Sequence, residues 1–151
     1  MRILVDADAC PVKEEVYKVA LRHGVPVTII SNSPIRVPPH ALIDRVVVGD
    51  GFDAADDWIA ARAAPGSICV TADIVLADRC LKAGAGVLAP NGKAFTTSSI
   101  GSAIAVRAIM ADLRAGAVGD PVGGPPPFTK ADRSRFLSAL DEMLVRLRRG
   151  R

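Results

Sequence analysis

Short apolar runs alternate along this chain with longer stretches in which apolar residues recur every three or four positions, a pattern that predicts strands separated by helices. Ile3-Leu4-Val5 ends in a polar cluster and reads as a buried strand, and Pro11 suits the first position of the helix that follows. Val12, Val16, Val19 and Ala20 keep helical spacing until His23-Gly24. Further strands are predicted at residues 25–30, 45–48, 67–71 and 86–88. Asp53 and Asp73 are suited to cap helices over 53–64 and 73–82, and Ser98 or Ser99 starts another that Gly116 would close. Residues 116–128 are rich in Gly and Pro and read as a linker or lid. Thr129 then caps a basic amphipathic helix over 129–149, whose Phe136, Leu140, Met143, Leu144 and Leu147 form a core-facing stripe. Strands joined by helices of this length pair in parallel and are covered on both faces. The expected fold is therefore α/β: three layers, with a mainly parallel five-stranded sheet flanked by helices, in one domain spanning 1–151.

Composition narrows this picture. With 151 residues, half of them hydrophobic but only 4% aromatic, the core must be built from Val, Ile, Leu and Ala. So few aromatic rings also argue against a base-stacking platform as the main binding device. The net charge of +3 is unevenly placed: residues 130–151 hold 7 Lys/Arg against 3 Asp/Glu, whereas residues 1–129 hold 12 against 13. The basic terminal segment could meet a polyanion or simply present a solvated face. Cys10, Cys69 and Cys80 form no CxxC pair, and His23 and His40 stand alone, so a zinc site is not expected. No run approaches the ~18 apolar residues of a membrane span and no secretory signal is recognisable, so we expect a cytoplasmic protein without membrane contact.

The informative chemistry is in the acids. Asp6 and Asp8 follow the first predicted strand, Asp53, Asp56 and Asp57 open the helix after the third, and Asp73 follows the fourth. In an open parallel sheet, ligands bind beyond the carboxyl ends of the strands, where strand order reverses. Strands 1 and 4 as neighbours would bring these acids to one edge. Like charges crowded there destabilise the fold unless a cation lies among them, and a hard divalent ion such as Mg²⁺ or Mn²⁺ prefers such oxygen ligands. Such an ion can activate water and stabilise charge on a phosphoryl group. Asp53 and Asp73 also have a plain use as helix caps and Asp57 as a solvated first-turn acid, but Asp6-Ala7-Asp8 at a strand end gains nothing from capping.

These residues carry a resemblance. Val5-Asp6-Ala7-Asp8-Ala9-Cys10-Pro11-Val12-Lys13, Asp53-Ala54-Ala55-Asp56-Asp57-Trp58-Ile59 and Thr71-Ala72-Asp73-Ile74 with Leu76-Ala77 resemble the bacterial YaiI/YqxD family. Gly123-Gly124-Pro125 followed by Phe128, Asp132-Arg133 and Phe136 does so too. That family is similar to PIN-like nuclease domains, which cleave RNA with acidic residues and divalent metal. The resemblance implies a PIN-like domain with a site for Mg²⁺ or Mn²⁺ and a nucleic-acid partner, RNA. Asp6 resembles the first PIN acid, and Thr71-Ala72-Asp73 resembles the element after its fourth strand. The second PIN acid is usually Glu, where this chain offers Asp53 or Asp56.

The catalytic residues expected are Asp6, Asp56 and Asp73, and the metal ligands Asp6, Asp8, Asp53, Asp56 and Asp73. Asn32 just past the second strand, Thr71, Arg107 on the helix after the fifth strand, and Arg133 are the expected substrate contacts. Two rival readings stand beside this one. In a haloacid-dehalogenase-type phosphatase, Asp6 would be the nucleophile, Ser31 or Ser33 the phosphate-binding hydroxyl, and Gly49-Asp50-Gly51-Phe52-Asp53 a mimic of the magnesium motif. That chemistry needs a Lys before the magnesium motif, and none lies between Lys18 and Lys82. The other rival is a non-catalytic RNA-binding module that keeps the acidic crevice without turnover.

Overall fold

The computed structural model describes residues 1–49, 51, 53–102, 104–105 and 128–150. Its six strands are β1 (Arg2–Asp6), β2 (Val27–Ser31), β3 (Ile43–Val47), β4 (Ser67–Val70), β5 (Gly86–Leu88) and β6 (Ala94–Phe95). They form one sheet in the order β3-β2-β1-β4-β5-β6, parallel throughout except for the antiparallel β5–β6 pair. Three helices follow strands in the expected places: α1 (Lys13–His23), α2 (Ala54–Arg62) and α3 (Ile74–Lys82). A C-terminal helix runs from Lys130 to Arg149, and residues 97–102 are also helical. The α/β class and the mainly parallel sheet are as the hydrophobic pattern predicts.

Side-chain alternation along the strands decides the layers. Ile3 and Val5 of β1, Val27 and Ile29 of β2, and Ile68 and Val70 of β4 share one core with Val16 and Val19 of α1 and with Phe136, Leu140 and Leu144 of the C-terminal helix. Leu4, Ile30, Cys69 and Val87 point the other way and pack with Ala55 and Ile59 of α2 and with Leu76, Ala77 and Cys80 of α3. Strands buried on both faces need continuous apolar runs, which is why β1, β2 and β4 read as such. The expected terminal stripe holds: Phe136, Leu140 and Leu144 are fully buried, with Met143 and Leu147 partly so.

Several boundaries differ from the sequence expectation. Among the described residues the sheet has six strands, not five, because β6 is two residues long and carries no periodic signal. Its partner is set by a tight turn in which Ala89 and Lys93 pair at 2.9 Å and Gly92, at φ +88°, takes a conformation that disfavours L side chains. Gly92 also lies against the C-terminal helix: a Cβ there would come within 2.7 Å of the Arg135 carbonyl carbon. Helix α1 begins at Lys13, two residues after Pro11, because Ala7–Ala9 first close a single 3-10 turn with Cys10 N–H donating to the Ala7 carbonyl at 3.3 Å. Thr129 caps the C-terminal helix as expected, in a capping box with Asp132. Residues 116–127, including Gly116, and Asp50, Phe52 and Arg107 lie outside the described residues.

Candidate metal and phosphodiester site

Strand order reverses between β1 and β4. The chain winds from β1 through β2 to β3 on one side, then crosses back and continues through β4 and β5 on the other. This is the switch point at which α/β sheets bind ligands. Asp6 ends β1 there, and the register pairing Val5 with Val70 puts Thr71 beside it. Alternation sends Asp6 to the same face as Leu4, the face that α2 and α3 cover. Helix α2 packs on β1, β2 and α3, so its acids arrive over the end of β1.

A hydrogen-bond relay joins the two strands. The Asp73 N–H donates to Thr71 Oγ1 at 3.0 Å, and the Thr71 hydroxyl donates to Asp6 Oδ2 at 3.0 Å. Thr71 is buried, so its hydroxyl has one acceptor and one donor and holds the Asp6 carboxylate in a fixed orientation. Asp73 is also a true N-cap: its Oδ1 accepts from Val75 N–H at 2.9 Å and Leu76 N–H at 3.2 Å. Asp8 is held from the other side, its carboxylate accepting the Asn32 N–H at 3.1 Å. Asn32 thus meets the acids through its main chain. Asp53 occupies the N-cap position of α2, but its side chain makes no capping bond.

The acids sense one another. Burial raises the Asp6 carboxyl above its ordinary range, the Thr71 hydroxyl opposes that rise, and Asp8 and Asp73 add to it. Asp56 is pushed up to about 6, first by burial and then by Asp73, Asp6 and Asp53, with Arg79 opposing. Asp6, Asp8, Asp53, Asp56 and Asp73 therefore form one electrostatic neighbourhood. Among the described residues, however, no three His, Cys, Asp or Glu side chains are drawn close enough to hold a metal ion. The carboxylates are gathered at one edge without closing into a coordination shell.

Other expected participants have structural partners. The Arg133 guanidinium donates to the Pro11 carbonyl at 2.6 Å, lies 3.4 Å from Glu15 Oε1 and covers the Phe128 ring at 5.1 Å. It braces the C-terminal helix against the start of α1. Asp57 pairs with Arg79 at 2.9 Å, as befits a solvated acid. Two cations that the sequence pattern does not single out border the acids. Arg79 is near enough to oppose the Asp56 shift, and Lys13 donates to the Cys10 carbonyl at 2.9 Å, within electrostatic reach of the thiol that also senses Asp6. Lys13 opens α1, whereas Arg79 lies in the last turn of α3, so position along a helix does not mark both. Cys10, Cys69 and Cys80 are buried core residues. A hollow lies away from the acids, along the β2–β3 connection, lined from Pro34 to Arg45.

The strand order is shared with dinucleotide-binding sheets, whose first strand–helix turn is glycine-rich to admit a pyrophosphate. Here that turn is Asp6-Ala7-Asp8-Ala9, with two acids and no glycine. A phosphate could approach it only with a cation between. No helix among the described residues is long and apolar enough to cross a membrane.

Comparison with known proteins places this geometry in a lineage. A family model described as an uncharacterised group, the YaiI/YqxD family, matches residues 4–146. A UPF0178 protein of Sphingopyxis alaskensis is 74% identical over 148 residues, covering 98% of this chain and 96% of the relative. A UPF0178 protein of Bradyrhizobium diazoefficiens is 60% identical over 150 residues, covering 99% and 89%. One of Rhodopseudomonas palustris is 60% identical, covering 99% and 90%. No solved structure matches the chain.

Proposed function

The chain belongs to the YaiI/YqxD family, and for this member we propose a divalent-metal-dependent phosphodiesterase of nuclease type, acting on RNA. The observation that carries the reading is the Asp73–Thr71–Asp6 relay across the β1/β4 switch point, with Asp56 pushed up to about 6 beside it. Carboxyls raised first by burial and then by one another are unfavourable as anions in the protein alone. The donors are all carboxylate oxygens, the ligand type that Mg²⁺ and Mn²⁺ prefer. When bound, such an ion activates water and offsets charge developing on a phosphoryl group.

The chain's own groups then have distinct tasks. Asp6, fixed by Thr71, and Asp73, fixed by its own helix, are the rigid ligands. Asp56 is the adaptable third member, able to hold or release a proton near neutral pH. Asp8 and Asp53 complete the ligand set, Asp8 steadied by the Asn32 main chain. The resemblance to PIN-like domains supports RNA as the substrate, with Arg107 and Arg133 as outer phosphate contacts; Arg133 would have to leave Glu15 to serve. The phosphatase alternative is weakened by Ser31, whose hydroxyl is buried and donates to the Ser33 carbonyl at 2.6 Å.

Mn²⁺-dependent cleavage of single-stranded RNA tests the proposal. Asp6→Asn and Asp73→Asn should each reduce the rate by roughly a hundredfold or more. Equal cleavage by wild type and both variants would mean that the acids do not carry the activity. Mn²⁺ binding lost in the variants, with no cleavage by wild type, would identify a non-catalytic module.

A further inference from the structure

The β2–β3 connection begins at Asn32, whose main chain is tied to Asp8, and forms with β3 an open groove of about 490 Å³. That volume is within the range of small-ligand sites. Its first lining residue, Pro34, is two positions or about 7 Å of chain beyond Asn32, and the hollow runs from there down the sheet edge to Ile43, which pairs with the start of β2. Its walls are built in advance. Arg45 Nη1 donates to the Ile35 carbonyl at 2.7 Å, and the Ile43 N–H donates to the His40 carbonyl at 3.0 Å. Ile35 and Val37 anchor the loop in the core beneath, and Pro34, Pro38 and Pro39 limit what remains of its freedom.

The lining chemistry favours a chain of phosphates. Arg36 is exposed and makes no hydrogen bond or ion pair among the described residues. Arg45 uses Nη1 on the loop and keeps its remaining donors. The one acid, Asp44, turns its Oδ1 to the Arg45 N–H at 2.8 Å. No Phe, Tyr or Trp lines the hollow, so recognition by stacked bases is not provided for and contact falls to the backbone. We propose that this hollow holds the phosphates of a single-stranded polynucleotide flanking the diester presented to Asp6, with Arg36 as the principal contact. The proposal rests on the nuclease reading, which supplies the reason for a polyanion to leave the acid edge along this loop.

Binding of a fluorescent 12-nucleotide single-stranded RNA, followed by anisotropy in EDTA so that no cleavage occurs, is the test. One phosphate contact contributes about 0.7 to the slope of log affinity against log salt for a single strand. Arg36→Glu should therefore bind roughly fivefold more weakly at 0.1 M salt, with the slope reduced by about 0.7, and Arg36→Ala should fall in the same direction. Both variants binding as wild type would overturn the proposal. So would an equal loss of affinity for poly-glutamate, which would make the hollow a site for acidic peptides. Hydrolysis of bis(p-nitrophenyl) phosphate by the wild-type protein with Mn²⁺ judges the acid edge separately, since that diester has no flanking nucleotides to extend along the loop. Its absence would count against the nuclease reading alone, while the binding measurement still decides on the hollow.

Discussion

Replacing Asp56 by Asn should stabilise the metal-free protein at alkaline pH. The Asp56 carboxyl is raised from 3.8 to about 6 by burial and by Asp73, Asp6 and Asp53. A carboxyl that holds its proton more tightly folded than unfolded costs nothing below the unfolded value. The cost grows as pH rises from about 3.8 to about 6 and is complete above that. Two pKa units correspond to about 3 kcal/mol at full strength. Asp56 is only half-buried, and solvent screening reduces that to about 1 kcal/mol. Asn keeps the shape and removes the charge. In EDTA at pH 8 the variant should be more stable than wild type by about 1 kcal/mol, a rise in Tm of roughly 2–4 °C for a chain of this size. At pH 4 the two should coincide. Urea unfolding of both proteins at both pH values gives the comparison. A variant less stable than wild type at pH 8, or a gain of equal size at pH 4, would refute the electrostatic account. Millimolar Mn²⁺ should then reverse the ranking, because an ion bound only to the folded state stabilises the protein that retains the ligand.

The relay and the β5–β6 turn yield two further expectations. Thr71→Val removes the bond to Asp6 and strands the Asp73 N–H, at a cost of about 2–4 kcal/mol, whereas Thr71→Ser should lose less than half of that; equal urea midpoints for the Val and Ser variants would show that the hydroxyl is not the working group. Gly92→Ala meets both a positive φ and the Arg135–Phe136 main chain, and should cost roughly 3 kcal/mol or more. Gly66→Ala, at φ +91° with open space around its Cβ position, should cost only about 1–2 kcal/mol. Thermal melts that rank the two glycine variants equally would mean that the turn yields freely against the helix.

Much of this arrangement was legible from residue order. Ile3-Leu4-Val5 and the β2 and β4 runs are apolar without interruption because both faces are covered, so parallel pairing followed from composition and spacing alone. The placement of Asp6 and Asp73 at one edge followed from topology, since acids after strands 1 and 4 meet if those strands are neighbours. What residue order could not convey was conformation set by tertiary contact. The 3-10 turn after Asp6 delays α1 past Pro11, and β6 follows a turn in which Gly92, at positive φ, fits against Arg135. Nor did charge pattern separate roles among similar residues. Asp53 and Asp73 occupy equivalent cap positions, yet only Asp73 caps, and Arg133, which suits a phosphate contact or a surface ion pair alike, braces Pro11 and pairs with Glu15. Those outcomes depend on which neighbour lies within 3 Å, and spacing along the chain does not encode that.

The C-terminal helix covers the same sheet face as Ile3 and Val5 of the first strand. On a ribosome adding about 5–20 residues per second, β1 would emerge on the order of ten seconds before residues 130–149 are made. During that interval α1 alone covers the inner surface of β1, β2 and β4, and the nascent chain presents partly bare apolar strands of the kind that chaperones shelter. Asp6 ends one of those strands but is held by Thr71 from the next, so its fixed orientation needs the chain only through Asp73. The acids can therefore meet before the strands that carry them are fully covered, which happens only when Phe136, Leu140 and Leu144 dock.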